Sequence, residues 1–428
     1  MLELTHIEST LLDGRLKGFP YEAAPCRVAD IGARGWNALR GDLPYPLALL
    51  KHDALEHNLR WMADFTAAAG VLLAPHGKTS MAPQLFERQL QAGAWGLTLA
   101  TMQQVSLCVG LGLRRVILAN QLIAEIDIAH AATLLERHPD LEFYSLVDSL
   151  AQLAIIERVA ARRPFARPLA LLVEVGVAGG RTGCRGGAEA LAVAHAVAAS
   201  ASVELAGVEC YEGLQVSGDS AADSALVAAL MADVRQVARD CDAAGLFATP
   251  RIILSAGGSA VFDLVARSLP MHLSKPVQTI LRSGCYLSHD SGFYDRFARL
   301  VVERSGGVWR QRPRLQAALE VWAQVQARPE PGRAILAVGK RDASFDIDWP
   351  MPFARVAGGV RSALDDTWRI TKMNDQHAYL SYPPDQALDV GDLVGCGISH
   401  PCTTFDKWRW LPVVDDRYDV TGAVLTQF

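Results

Sequence analysis

Between about Pro44 and Ser255, short apolar runs alternate with longer stretches whose apolar positions recur at helical spacing. The runs read as strands at Pro46–Leu50, Val71–Ala74, Gly96–Leu99, Arg115–Leu118, Glu142–Val147, Leu169–Val175, Glu204–Cys210 and Ile252–Ser255. Helical patterns lie between them, as at His52–Ala69, Ala82–Ala92, Met102–Gly110 and Ser149–Ala161. This alternation predicts parallel βαβ units, and eight strands predict a (β/α)8 TIM barrel. A doubly wound sheet would carry a Gly-rich turn after its first strand, and no G-x-G-x-x-G follows it.

Beyond about Arg296 the rhythm shortens. Arg314–Ala327, Arg333–Val338, Gly358–Ala363, Trp368–Met373, Ala378–Ser381 and Asp392–Cys396 are brief runs separated by Gly, Pro and Asp. They predict a mainly antiparallel β-domain over 297–428, behind a barrel at 41–296. Residues 1–40 fall outside the barrel and are expected to pack with that β-domain.

Bulk properties narrow the function classes. The chain has 428 residues, half of them hydrophobic and a fifth charged, with a net charge of -5. That is ordinary for a globular enzyme, and the dispersed arginines give no nucleic-acid surface. No apolar run is long enough to cross a bilayer, and residues 1–18 lack the apolar core of a signal peptide. Eight irregularly spaced cysteines do not form a disulfide framework. A reduced, cytoplasmic protein acting on a small molecule, without membrane or nucleic-acid partners, is expected.

Candidate chemistry clusters where the strands end. Lys78 follows the second strand, at the catalytic face of such a barrel, where partial desolvation by the walls would make its amine nucleophilic. After the eighth strand come Gly257, Gly258 and Ser259. The glycines let backbone N–H groups close on an anion, and Ser259 adds a hydroxyl at a helix N-terminus. The same turn also reads as a plain strand-to-helix connection. Glycines around Arg181 clear space beside a flat ligand, whose phenolate oxygen the guanidinium could bind; a surface arginine fits the pattern equally. Glu209 and Tyr211 share one strand face while Cys210 takes the other, so either could meet a ring nitrogen or simply fill the barrel.

Near the C-terminus, His400 and Cys402 stand two apart. In an extended strand they would point to one side and could hold a zinc ion with positions left open for catalysis. His377 is a candidate further member of that group, or a strand-end histidine.

Together these residues resemble the D-serine dehydratase and D-threonine aldolase family, on the alanine-racemase type of fold. The family's Pro-His-x-Lys-Thr matches Pro75–Thr79, which implies that Lys78 holds pyridoxal 5'-phosphate as a Schiff base beside His76. Its Gly-rich arginine segment matches Gly176–Gly183, its phosphate loop Gly257–Ser259, and its Pro-Gly-x-Tyr stretch Arg282–Tyr286, with Ser283 for the proline and Tyr286 at the cofactor. Family dehydratases carry His-x-Cys with zinc, whereas the aldolases typically carry His-x-Asp with manganese or a similar ion. His400 and Cys402 therefore imply a zinc-assisted dehydratase (Zn2+ or another divalent metal) acting on a D-3-hydroxy amino acid such as D-serine or D-threonine. Its products would be a 2-oxo acid and ammonia. Retro-aldol cleavage to glycine and an aldehyde is the nearest alternative; racemisation and a non-catalytic cofactor carrier are further ones. Ala74, Met81, Gln103 and Gln104 depart from the common family pattern. The resemblance also implies a homodimer.

Overall fold

Eight parallel strands close into a barrel in the computed structural model, which describes residues 1–213 and 215–428. In order they are Leu72–Leu73, Leu97–Leu99, Arg115–Gln121, Glu142–Val147, Leu169–Val175, Val203–Cys210, Ile252–Ala256 and Val277–Leu281. The last strand returns to the first, with Ile280 opposite Leu72 and Leu281 opposite Leu73. The seam between the first two closes through His76 and Thr98, where the Trp95 and Thr98 N–H groups donate to Leu73 and Pro75 at 2.7 and 2.9 Å.

The barrel is held by two concentric apolar layers. Ile117, Leu146, Ala170, Leu172, Ala206, Ile253 and Ile280 fill the interior, mixing small and branched side chains. Residues of the opposite parity, such as Leu169, Leu171 and Val173, pack outward against the helices.

One predicted barrel strand belongs elsewhere. The run at Pro46–Leu50 forms the strand Leu47–Lys51, which pairs antiparallel with Leu319–Glu330 and parallel with Trp410–Val414 in the second sheet. The true eighth barrel strand, Val277–Leu281, carries Gln278 and Thr279 and so lacks the continuous apolar signal. Each barrel loop after Leu47–Lys51 therefore moves back by one: Lys78 follows the first strand, Arg181 the fifth, Tyr211 the sixth and Ser259 the seventh.

The second sheet is built around Leu319–Glu330, flanked by Leu47–Lys51 and Leu393–Gly397. Met351–Ala357 extends it beyond Leu393–Gly397, and Trp410–Val414 pairs with Val420–Leu425 at the other side. Ile7, Leu12, Phe19 and Ile31 from the first forty residues bury against Trp322 and Trp410 of this sheet. The Asn37 amide donates to Asp419 at 2.8 Å, fixing the same contact. None of the eight cysteines is disulfide-bonded. Among the described residues no helix is long and apolar enough to cross a membrane.

Candidate active site

Strand alternation delivers the first cavity residues. Along Leu169–Val175 the inward row runs Ala170, Leu172, Glu174, and the last of these reaches the cavity at the strand's C-terminal end. Along Val203–Cys210 and its extension, Glu209 and Tyr211 line the same cavity while Cys210 packs outward. The cavity measures about 210 Å³ and is closed on one side by His400 and Cys402 from the second domain.

Lys78 stands in the single turn Gly77–Thr79 and lines this cavity. The desolvation expected of it is absent: the turn carries the side chain past the barrel wall, and it is exposed. His76, two residues earlier, faces the cavity with its Nδ1 buried and without a hydrogen-bond partner. Burial pushes its pKa well below the ordinary histidine value, and the cations Lys78 and Arg282 push the same way. Arg181 is exposed at the opposite wall, its guanidinium 5.4 Å from the centre of the Tyr211 ring.

Glu209 is buried and ion-paired with Arg282, a residue with no expected role of its own. Arg282 also donates to the Cys210 carbonyl at 2.7 Å. Burial raises the Glu209 carboxyl to about 7, against the pull of Arg282 and with help from the neighbouring Glu174. Its second oxygen, Oε1, has no partner. A buried orphan acceptor beside a cavity marks a place for a polar ligand atom.

The glycine turn differs from expectation. The N–H groups of Gly257 and Gly258 donate to the Glu212 carboxylate at 3.1 and 2.6 Å, so neither is free to close on an anion. Glu212 is buried and lies outside the cavity wall, bracing the turn from behind. Gly258 and Ser259 still line the cavity, and the Ser259 hydroxyl accepts the Cys285 N–H at 3.1 Å. Nor does Ser259 cap a helix: the following one begins only at Phe262.

His400 and Cys402 come together by a different route from an extended strand. The strand Leu393–Gly397 ends before them, His400 adopts φ 64°, and Cys402 opens the short helix Cys402–Phe405. Asp290 holds this bend: its Oδ2 accepts the His400 N–H at 2.9 Å, while Oδ1 accepts three N–H groups at the start of the helix Phe293–Ser305. His400 Nδ1 lies 2.5 Å from Asp346 Oδ2. With a proton on Nδ1, Nε2 keeps its lone pair, the tautomer a metal ligand needs. Cys402 Sγ lies 3.5 Å from Thr79 Oγ1 and 3.7 Å from Cys285 Sγ. The hydrogen bond from Cys402 holds the Cys285 thiol down to about 6 against its burial, and the same bond pushes Cys402 up.

Two candidates stay outside. Tyr286 is buried in the core, and its neighbour Cys285 takes the place at the cavity. His377 sits exposed in the turn between Arg369–Met373 and Ala378–Ser381, away from the cavity. Glu212, Asp290, Tyr294 and Asp346 reach the site through long-range packing without a local motif, whereas Arg282 and Cys285 belong to the 282–286 stretch, in which the sequence pattern pointed to Tyr286 instead.

The residues present fit pyridoxal phosphate. A lysine, a guanidinium, a serine hydroxyl and two unpartnered buried polar atoms face one space. The nitrogen and sulfur donors of His400 and Cys402, with a carboxylate behind the imidazole, suit a divalent metal. No group of three such side chains among the described residues is already drawn together as a metal site.

Residues 50–288 match the family described as alanine racemase, N-terminal domain, and residues 318–414 the one described as "Putative serine dehydratase domain". The chain belongs to the D-serine dehydratase and D-threonine aldolase family, on the alanine-racemase fold. Among curated family members, D-threonine aldolase of an Arthrobacter species is 25% identical over 376 residues, 87% of this chain and 89% of its own length. The crystal structure of D-threonine aldolase from Filomicrobium marinum superposes with a TM-score of 0.76 at 23% identity, over 92% of this chain and 98% of that one. D-threo-3-hydroxyaspartate dehydratase from Delftia sp. HT23 gives 0.69 at 22% identity, over 90% and 98%. Both superpositions span the barrel and the β-domain together, as the fold predicted from the sequence requires.

Proposed function

We propose that this protein is a pyridoxal-phosphate lyase of D-3-hydroxy amino acids, working by deaminating β-elimination to a 2-oxo acid and ammonia. The observation that carries the reading is the sharing of one cavity by Lys78, from the barrel, and His400 with Cys402, from the β-domain. A reactive amine and a nitrogen–sulfur donor pair thus flank the same ligand-sized space.

In this reading Lys78 holds the cofactor covalently, with the Ser259 hydroxyl toward its phosphate and Arg181 toward its phenolate oxygen. Glu209 or Tyr211 meets the ring nitrogen, and His76 lies against the ring. His400 and Cys402 hold zinc or another divalent ion. When bound, the cofactor supplies an electron sink for negative charge at Cα, and the metal a Lewis acid toward the β-hydroxyl. Lys78, with its amine free, would be the base that removes the Cα proton. The exposure of Lys78 within the cavity mouth suits both roles, because the amine must reach cofactor and substrate in turn. Asp346 keeps the His400 imidazole in one orientation throughout. A homodimer belongs to the same reading.

Retro-aldol cleavage is the second reading, favoured by the name of the Arthrobacter relative. Cys402, where the family's aldolases typically have aspartate, supports elimination instead. Products discriminate. Incubation of the holoenzyme with D-serine, D-threonine and D-3-hydroxyaspartate should release ammonia and oxo acid in equal amounts. Glycine and aldehyde without ammonia would overturn elimination in favour of the aldolase.

A further inference from the structure

Two cysteines distant in sequence meet at the cavity, and only one belongs to the His-x-Cys pair. Cys285 Sγ lies 3.7 Å from Cys402 Sγ, and both sulfurs border Thr79, the residue after Lys78. Two thiolates on one tetrahedral zinc, each about 2.3 Å from the metal, stand about 3.8 Å apart. The observed separation matches that edge of the tetrahedron. It is far longer than the S–S bond of about 2.05 Å in a disulfide.

Local structure accounts for the approach. Gly284 lets the 282–286 turn lie directly on the lysine turn: a Cβ there would come within 2.5 Å of the His76 carbonyl oxygen and 2.9 Å of Thr79 Oγ1. The Cys285 N–H is fixed by Ser259 at 3.1 Å, so its side chain is held at the wall of the cavity that His400 also lines. Cys285 is buried, and its thiol lies against the Cys402 sulfur on a cavity that His400 also lines, which is poorly explained as filler.

We propose that Cys285 is a third protein ligand of the metal at His400 and Cys402, giving a Cys2His donor set with one open position. This rests on the metal reading of His400 and Cys402 given above. Three protein ligands with an open fourth position are the pattern of catalytic zinc sites. Two thiolates favour zinc over manganese or magnesium, which prefer oxygen donors.

X-ray absorption at the zinc edge of the unmodified, zinc-loaded holoenzyme counts sulfur ligands without reference to activity. Two sulfurs at about 2.3 Å are expected, falling to one in Cys285→Ser. One sulfur in the unmodified protein overturns the role of Cys285 and leaves His400 and Cys402 as the metal pair. Retention of two sulfurs in Cys285→Ser also overturns it. No retained zinc, or zinc without sulfur, overturns both readings together. A mass spectrum of unreduced protein showing Cys285 linked to Cys402 overturns the proposal as well. The count on the unmodified protein decides the matter even where the variant fails to fold.

Discussion

His400 Nδ1 lies 2.5 Å from the Asp346 carboxylate, a pairing between a bend after one strand and a loop more than fifty residues earlier. Asp346 also accepts the Thr403 hydroxyl at 2.9 Å, so one carboxylate orients both residues that bracket the Pro401–Cys402 step. A carboxylate behind a ligating imidazole fixes its tautomer and raises its basicity, and losing one typically costs about 10–100-fold in metal affinity.

Asp346→Asn should therefore weaken zinc binding by about that factor while leaving the folded state nearly as stable, because the carboxylate is at the surface. Zinc titration against a competing chelator, with thermal unfolding of the same samples, checks both parts. Unchanged affinity would remove Asp346 from the account of the site.

Glu212 makes a different kind of contribution. It accepts one buried and one part-buried backbone N–H group, and Glu212→Ala leaves both without that partner. A buried orphaned donor costs about 1–3 kcal/mol, and a part-buried one less. The variant should lose roughly 2–4 kcal/mol of stability by urea unfolding and retain the cofactor less well, since the turn beside Ser259 loses its brace. Wild-type stability would mean that water or another side chain satisfies the turn.

The Glu209 carboxyl, raised by burial from an ordinary 4.5 to about 7, ties stability to pH. Below pH 4.5 it is protonated in both folded and unfolded chains and contributes no slope. Between 4.5 and about 7 the unfolded chain has released the proton while the folded one keeps it, so stability falls as pH rises through that window. Above it both states are ionised and the loss is complete. Urea midpoints of the cofactor-free protein should drop across this window by more in the wild type than in Glu209→Gln. Equal slopes would show that Glu209 is ionised throughout.

These residues also show what was legible in the chain. The alternation around Glu209 and Tyr211 carried over directly, because side-chain parity in a strand is a local property. The barrel's eighth strand was not legible. Val277–Leu281 interrupts its apolar character with Gln278 and Thr279, whereas Leu47–Lys51 is apolar because it is buried within the second sheet. An apolar run reports burial but not the partner that buries it. The His-x-Cys spacing pointed to a shared site for a reason that did not hold, since a left-handed bend rather than a strand brings the two side chains to one cavity. Asp346 and Glu212 had no signal at all, because their contacts depend on how barrel loops meet each other and the β-domain, and the 282–286 stretch pointed to Tyr286 rather than to Cys285.

The central claim is that Lys78 anchors pyridoxal phosphate in the cavity shared with His400 and Cys402. Reduction of the holoenzyme with borohydride, followed by peptide mapping, fixes the cofactor on the lysine that holds it. The account predicts one phosphopyridoxyl group per chain, on the peptide containing Lys78, and no such adduct in Lys78→Ala. A cofactor found on another lysine, or none bound at all, would contradict it.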